Sequence, residues 1–181
     1  MTEHLLSTPS QTVGPYLHIG LTWPDGVFAA PVGTAGAVWI RGEVFDGAGE
    51  PITDALVETW QVDHTVRAAP DRSRSVRTGF GRSDTRDGGY AIHTVVPPEL
   101  PARGTAVQAP HLDVSVFARG LLHRVVTRIY FPEFASANAA DPVLNSIEPA
   151  RRERLLARRV GDGYVFDIHL QGELETVFFD V

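Results

Sequence analysis

The sequence predicts an all-β protein, a β-sandwich with an extended N-terminal arm and one short helix in the C-terminal half. Three observations carry that expectation. Seventeen glycines and 13 prolines among 181 residues mean frequent turns, which favour many short strands over long helices. Apolar and polar residues alternate with a period of two in several separate segments, the pattern of half-buried strands. A 43% apolar and 21% charged composition is that of a folded globular chain, and the length suits one domain.

Residues 1–36 are rich in Pro, Gly and Thr with little periodicity and read as the arm; residues 37–181 read as the sandwich domain. From Ala37, the apolar Val38, Ile40 and Val44 alternate with Trp39, Arg41 and Glu43, a first strand. Asp46-Gly-Ala-Gly-Glu-Pro51 is turn chemistry, and Leu56–Val62 is a second strand. Gly79-Phe-Gly81 lies between charged residues and reads as a turn. Further strands are expected at Tyr90–Val96, Leu112–Ala118, Arg124–Phe131, Tyr164–Leu170 and Thr176–Asp180. The helix is expected over Ala150–Arg159. Pro149 suits its first turn, Arg158 and Arg159 sit at the end where the macrodipole favours cations, and Gly161 stops it. Its arginines read as a solvated face.

Charge and composition exclude several functions. A net charge of −6 argues against nucleic acid or an anionic membrane as the main partner. Every basic residue is arginine, and cysteine is absent. Disulfides, thiolate catalysis and Cys-ligated metals are therefore ruled out. The N-terminus lacks the basic and apolar regions of a signal peptide, and no apolar run approaches a membrane span. A cytoplasmic protein is expected.

The strand from His111 carries the most chemistry. Leu112, Val114 and Val116 form one apolar face, so His111, Asp113 and Ser115 project from the other. Residues at i and i+2 on a strand can reach one metal ion, and His-x-Asp with a distant His such as His169 is the donor set of a non-haem Fe(II) facial triad. The same pair can equally serve as structural hydrogen-bonding groups. No arginine follows His169 to hold an oxoacid cosubstrate. Glu58, on a strand face with Leu56 and Trp60, is either a carboxylate of raised pKa or a satisfied structural group.

Read in order, the motifs resemble one family. Thr8-Pro-Ser-Gln-Thr-Val-Gly-Pro-Tyr16 resembles the N-terminal arm of the intradiol ring-cleavage dioxygenases. Gly42-Glu-Val-Phe-Asp-Gly-Ala-Gly-Glu-Pro51, continuing to Ala55-Leu-Val-Glu-Thr-Trp-Gln61, is similar to that family's first core hairpin. Asp84-Thr-Arg-Asp-Gly-Gly-Tyr90 resembles its Asp-rich turn, and Arg128-Ile-Tyr-Phe131 a late core strand. The hairpin alone is shared with transthyretin-like binding modules. Phe117-Ala-Arg-Gly120 and the closing run Gly172–Asp180 make the chain similar to the alpha subunit of a two-chain member.

The resemblance implies that catalysts of the family hold Fe(III) with two tyrosinates and a His-x-His pair. Here that pair reads His111-Leu-Asp113. The segment between Gln61 and His111 offers one tyrosine, Tyr90, which belongs to the Asp-rich turn. His111 and Asp113 are then vestigial positions, and no residue of this chain is catalytic. The resemblance implies an iron-free subunit of a hetero-oligomer, with Fe(III) bound by a homologous beta subunit. The pair would cleave 3,4-dihydroxybenzoate with O₂ to 3-carboxy-cis,cis-muconate. It also implies that Thr12, Gly14, Pro15 and Arg119 line a substrate pocket shared with the beta subunit. Two other readings stay open at this point: a stand-alone Fe(II) oxygenase using His111, Asp113 and His169, and a transthyretin-like binding module.

Overall fold

The structure is a computed structural model that describes residues 7–14, 16–62, 79–102 and 104–181. In chain order its elements are α1 (Tyr16–Gly20), β1 (Ala37–Gly42), β2 (Val44–Phe45), β3 (Leu56–Trp60), β4 (Phe80–Asp84) and β5 (Tyr90–Val95). Then follow β6 (Leu100–Pro101), β7 (Val107–Gln108), β8 (His111–Phe117), β9 (Val125–Tyr130), α2 (Ala135–Ala140), α3 (Pro142–Asn145) and α4 (Pro149–Arg152). The chain closes with β10 (Arg158–Val160), β11 (Gly163–Val165) and β12 (Ile168–His169).

Two four-stranded sheets, β10-β11-β1-β5 and β4-β3-β8-β9, face each other. The all-β sandwich is what the alternation predicts. The inner faces meet in one core containing Ile40, Val57, Ile92, Leu112, Val114, Val116, Ile129 and Phe166. A second, smaller cluster of Tyr130, Leu144, Leu155 and Val177 lies under the short helices. Asp141 fixes that corner. Its buried carboxylate accepts hydrogen bonds from the Val143 and Leu144 amides at the start of α3 and from the Ala109 amide, so backbone amides help satisfy one buried charge. No described helix is long and apolar enough to cross a membrane.

Four expectations are corrected. The helix expected over Ala150–Arg159 covers only Pro149–Arg152, followed by a 3-10 turn at Glu153–Leu155. Arg158 and Arg159 lie in β10, paired antiparallel to β11. Its arginines are not one solvated face either, because several are drawn into tertiary contacts: Arg152 donates to the carbonyls of Ile147 and Asn145, and Arg154 to that of Glu175. Gly81 is not a turn residue but the second residue of β4. A Cβ there would sit 2.8 Å from Ile92 Cγ2 and 3.0 Å from Thr59 Oγ1, so glycine lets β4 approach the core. Thr176–Asp180 forms no strand; it is tied to β9 by an isolated bridge, Val126 to Phe179, and by the Thr127 hydroxyl donating to the Val177 carbonyl.

Candidate functional site

Residues paired directly across antiparallel strands share one sheet face. The register sets Trp60 opposite both Phe80 and Asp113, and Glu58 opposite Arg82 and Ser115. It also sets Asp113 opposite Arg128 and His111 opposite Tyr130. The outer face of the β4-β3-β8-β9 sheet therefore carries nearly every polar candidate on the core strands.

His111 and Asp113 do share that face, and each is engaged by a different neighbour. The His111 ring is buried, and its Nδ1–H donates to the Ala109 carbonyl at 2.7 Å. Nε2 is left 3.8 Å from Asp113 Oδ1, too far for a hydrogen bond. Burial lowers the imidazole pKa, because charging it would cost solvation. Asp113 is 53% exposed and accepts a hydrogen bond from Arg128 Nε at 2.9 Å. The same guanidinium donates to Gln108 Oε1 at 2.7 Å and to the Tyr130 hydroxyl at 3.3 Å. The Tyr130 hydroxyl donates in turn to Asp141 Oδ1 at 3.3 Å.

This set does not fit ferric iron. A metal placed on His111 Nε2 and Asp113 would meet the Arg128 guanidinium, a fixed positive charge already using the carboxylate. No phenolate is within the pattern to balance the charge. Tyr90 is buried, donates its hydroxyl to the Phe166 carbonyl at 2.6 Å, and has its pKa raised by burial and then by Asp167, so it stays protonated. Burial likewise raises the Tyr130 pKa. His169 stands in β12, a strand of another sheet paired with β2, its ring stacked on Phe45 at 4.8 Å. Among the described residues no group of three or more His, Asp or Glu is placed to hold a metal. The triad of His111, Asp113 and His169 is thus corrected: different sheets carry its members. Glu58 is the structural group, bound by Arg82 Nε at 2.7 Å.

The arm and the Arg119 turn do meet. Gly120 N donates to Thr12 Oγ1 at 2.9 Å, and Ser10 Oγ lies 3.5 Å from His123 Nδ1. The turn after β8 closes through Leu121 N to the Ala118 carbonyl, with Gly120 at φ +91°, a conformation open to glycine. Gly14 takes φ +64° and turns the arm into α1, whose Leu17 is buried. Between arm and turn runs a cleft of about 290 Å³ that includes Val13, Phe117, Leu121 and Leu122. Arg119 projects from this corner with its side chain 82% exposed, Nε 3.1 Å from Asp54 Oδ2. Pro15 lies outside the described residues. Sequence reasoning missed Arg128 and Asp54, the partners that decide what Asp113 and Arg119 do in this chain.

A family model described as dioxygenase matches residues 24–172, and the chain belongs to the intradiol dioxygenase family. In particular, it is 42% identical to the protocatechuate 3,4-dioxygenase alpha chain of Burkholderia cepacia, over 98% of both chains. It is 31% identical to the beta chain from the same organism, across 76% of this chain and 65% of that one. Among solved structures it is similar to the dioxygenase domain of a carbohydrate-binding fusion from Streptomyces sp. SirexAA-E. That match has 26% identity and a TM-score of 0.53, covering 91% of this chain and 98% of that one.

Proposed function

We propose that this chain is the iron-free alpha subunit of a protocatechuate 3,4-dioxygenase, acting in the cytoplasm. A homologous beta subunit carries the Fe(III), and the assembled enzyme opens 3,4-dihydroxybenzoate between its two hydroxylated carbons. Both atoms of O₂ enter the product, 3-carboxy-cis,cis-muconate. The observation that carries the reading is the Arg128 guanidinium seated on Asp113: the strand aligned with the family's ligand pair holds a protein cation instead. The alpha-chain likeness runs through arm and sandwich alike, which a transthyretin-like binding module does not account for.

On this reading the chain works by binding and orientation. Thr12, Gly14, Pro15 and Arg119 stand over the partner's active site. The glycine and proline let backbone approach a flat ring closely, and Arg119 offers a guanidinium to the benzoate carboxylate. Support comes from the Thr12–Gly120 hydrogen bond, which joins the arm to the Arg119 turn in one exposed corner. Oxygen uptake with 3,4-dihydroxybenzoate tests it. The chain alone is expected to be inactive and the chain with its beta partner active; turnover by the chain alone contradicts it.

A further inference from the structure

A second cleft, sharing no lining residue with the arm corner, opens between the segment 23–32 and β4. It measures about 600 Å³, within the ~300–1,000 Å³ of small-molecule sites, and its lining includes Trp23, Asp25, Gly26, Phe28, Val32 and Phe80. The aromatic walls are held in place before any ligand arrives. Trp23 and Phe80 stack with ring centroids 6.1 Å apart and 20° between planes. The Arg82 guanidinium lies 4.6 Å from the Trp23 ring centroid and 5.4 Å from that of Phe80. Glu58 anchors this guanidinium, which also donates from Nη1 to the Leu21 carbonyl at 2.7 Å.

The backbone is fixed as well. Arg82 N donates to the Gly26 carbonyl at 2.6 Å, and a Cβ at Gly26 would stand 2.9 Å from the Arg82 carbonyl oxygen. Only glycine lets the segment lie that close to β4. Phe28 is wedged edge-on against Trp39 and His93. A largely buried ion pair such as Glu58–Arg82 adds little net stability, yet here it holds a tryptophan that remains 38% exposed. Walls ordered in advance spare a ligand the cost of ordering them. The charged group of the lining is Asp25, exposed and without an ion pair or side-chain hydrogen bond among the described residues.

We propose that this cleft binds a flat aromatic molecule bearing an amine or similar cationic donor, at a site separate from the ring-cleavage pocket. Aromatic walls take the ring, a cation gains from the Asp25 carboxylate because the Arg82 charge on the indole is already paired with Glu58, and an aromatic carboxylate is repelled. Tyramine and 4-hydroxybenzoate share a phenol ring and differ in the charge they carry, so calorimetric titration of the full chain with each reads this selectivity. Saturable tyramine binding is expected, about 10-fold or more tighter than that of the benzoate, with Asp25→Asn removing the preference. Val32 is 78% exposed, so Val32→Trp is expected to fill the cleft and abolish binding at an unchanged melting temperature. The assembled enzyme is expected to bind tyramine too, and its Val32→Trp form to keep full ring-cleavage activity. Absence of saturable tyramine binding, binding undiminished by Val32→Trp, or loss of binding on assembly with the partner overturns the proposal.

Discussion

His111 and Arg119 show how neighbours decide what a side chain does. His111 has the chemistry of a metal ligand, but its ring is buried and the Arg128 guanidinium already holds the neighbouring Asp113 carboxylate. A pKa lowered from the ordinary 6.5 makes stability pH-dependent in one direction. Above that value the imidazole is neutral in both folded and unfolded chains. Below it the unfolded chain takes up a proton that the folded chain refuses, so stability falls as pH drops, until the folded pKa is also passed. Urea titrations from pH 8 to pH 5 are expected to show this loss in the wild type and a shallower one in His111→Gln. Asp113 is half exposed, so Asp113→Ala is expected to cost only about 0–1 kcal/mol. Arg128→Ala strands Gln108 and Tyr130 and is expected to cost about 1–3 kcal/mol by the same titration. Arg119→Ala in the assembled enzyme is expected to raise KM for 3,4-dihydroxybenzoate roughly 10- to 100-fold with kcat little changed, since a carboxylate contact exists in ground and transition states alike. Catechol, which lacks the carboxylate, is expected to show a smaller rise. An unchanged KM in a normally assembled mutant removes Arg119 from the pocket.

Elements were legible in the sequence where side chains alternate and hidden where glycine or register decides. Val38 and Ile40 mark β1, and Leu112, Val114 and Val116 mark β8, because a burial period of two appears directly in the residues. β4 was not legible, since Gly79 and Gly81 have no side chains to alternate and read as turn formers. Gly81→Ala tests that cause: the new Cβ would crowd Ile92, and overpacking is expected to destabilise by about 1–3 kcal/mol in denaturant melts. The helix expected over Ala150–Arg159 stops early because Arg158–Val160 pairs with β11, a tertiary preference that local propensity does not contain. The candidate site was half legible. Alternation placed His111 and Asp113 on one face, but the partnership of Asp113 with Arg128 depends on strand register between residues far apart in sequence. The resemblance brought the arm and Arg119 together, but the Thr12–Gly120 hydrogen bond that joins them was equally out of reach. Thr12→Val removes that exposed hydrogen bond. It is expected to leave the chain's own stability within about 0.5 kcal/mol while raising KM in the assembled enzyme.

At the scale of the whole molecule, the chain is a sandwich whose outer polar face seats Arg128 on Asp113 and whose arm corner projects outward. On the proposed reading the chain contributes walls and contacts to a beta partner. Large apolar side chains remain exposed, among them Ile19, Trp60 and Leu122, and exposed patches of that kind drive association. Sedimentation of the chain alone is expected to show concentration-dependent self-association, relieved on mixing with the beta subunit. A monodisperse monomer that ignores the beta subunit contradicts obligate pairing. On the proposed function, iron belongs to the partner and not to this chain. Metal analysis with visible absorption spectroscopy on the purified chain, and on its complex with the beta subunit, tests that most directly. Background iron and no tyrosinate-to-iron charge-transfer band are expected in the chain alone, with stoichiometric iron and the band in the complex; a stoichiometric, coloured iron centre in the isolated chain would contradict the iron-free reading.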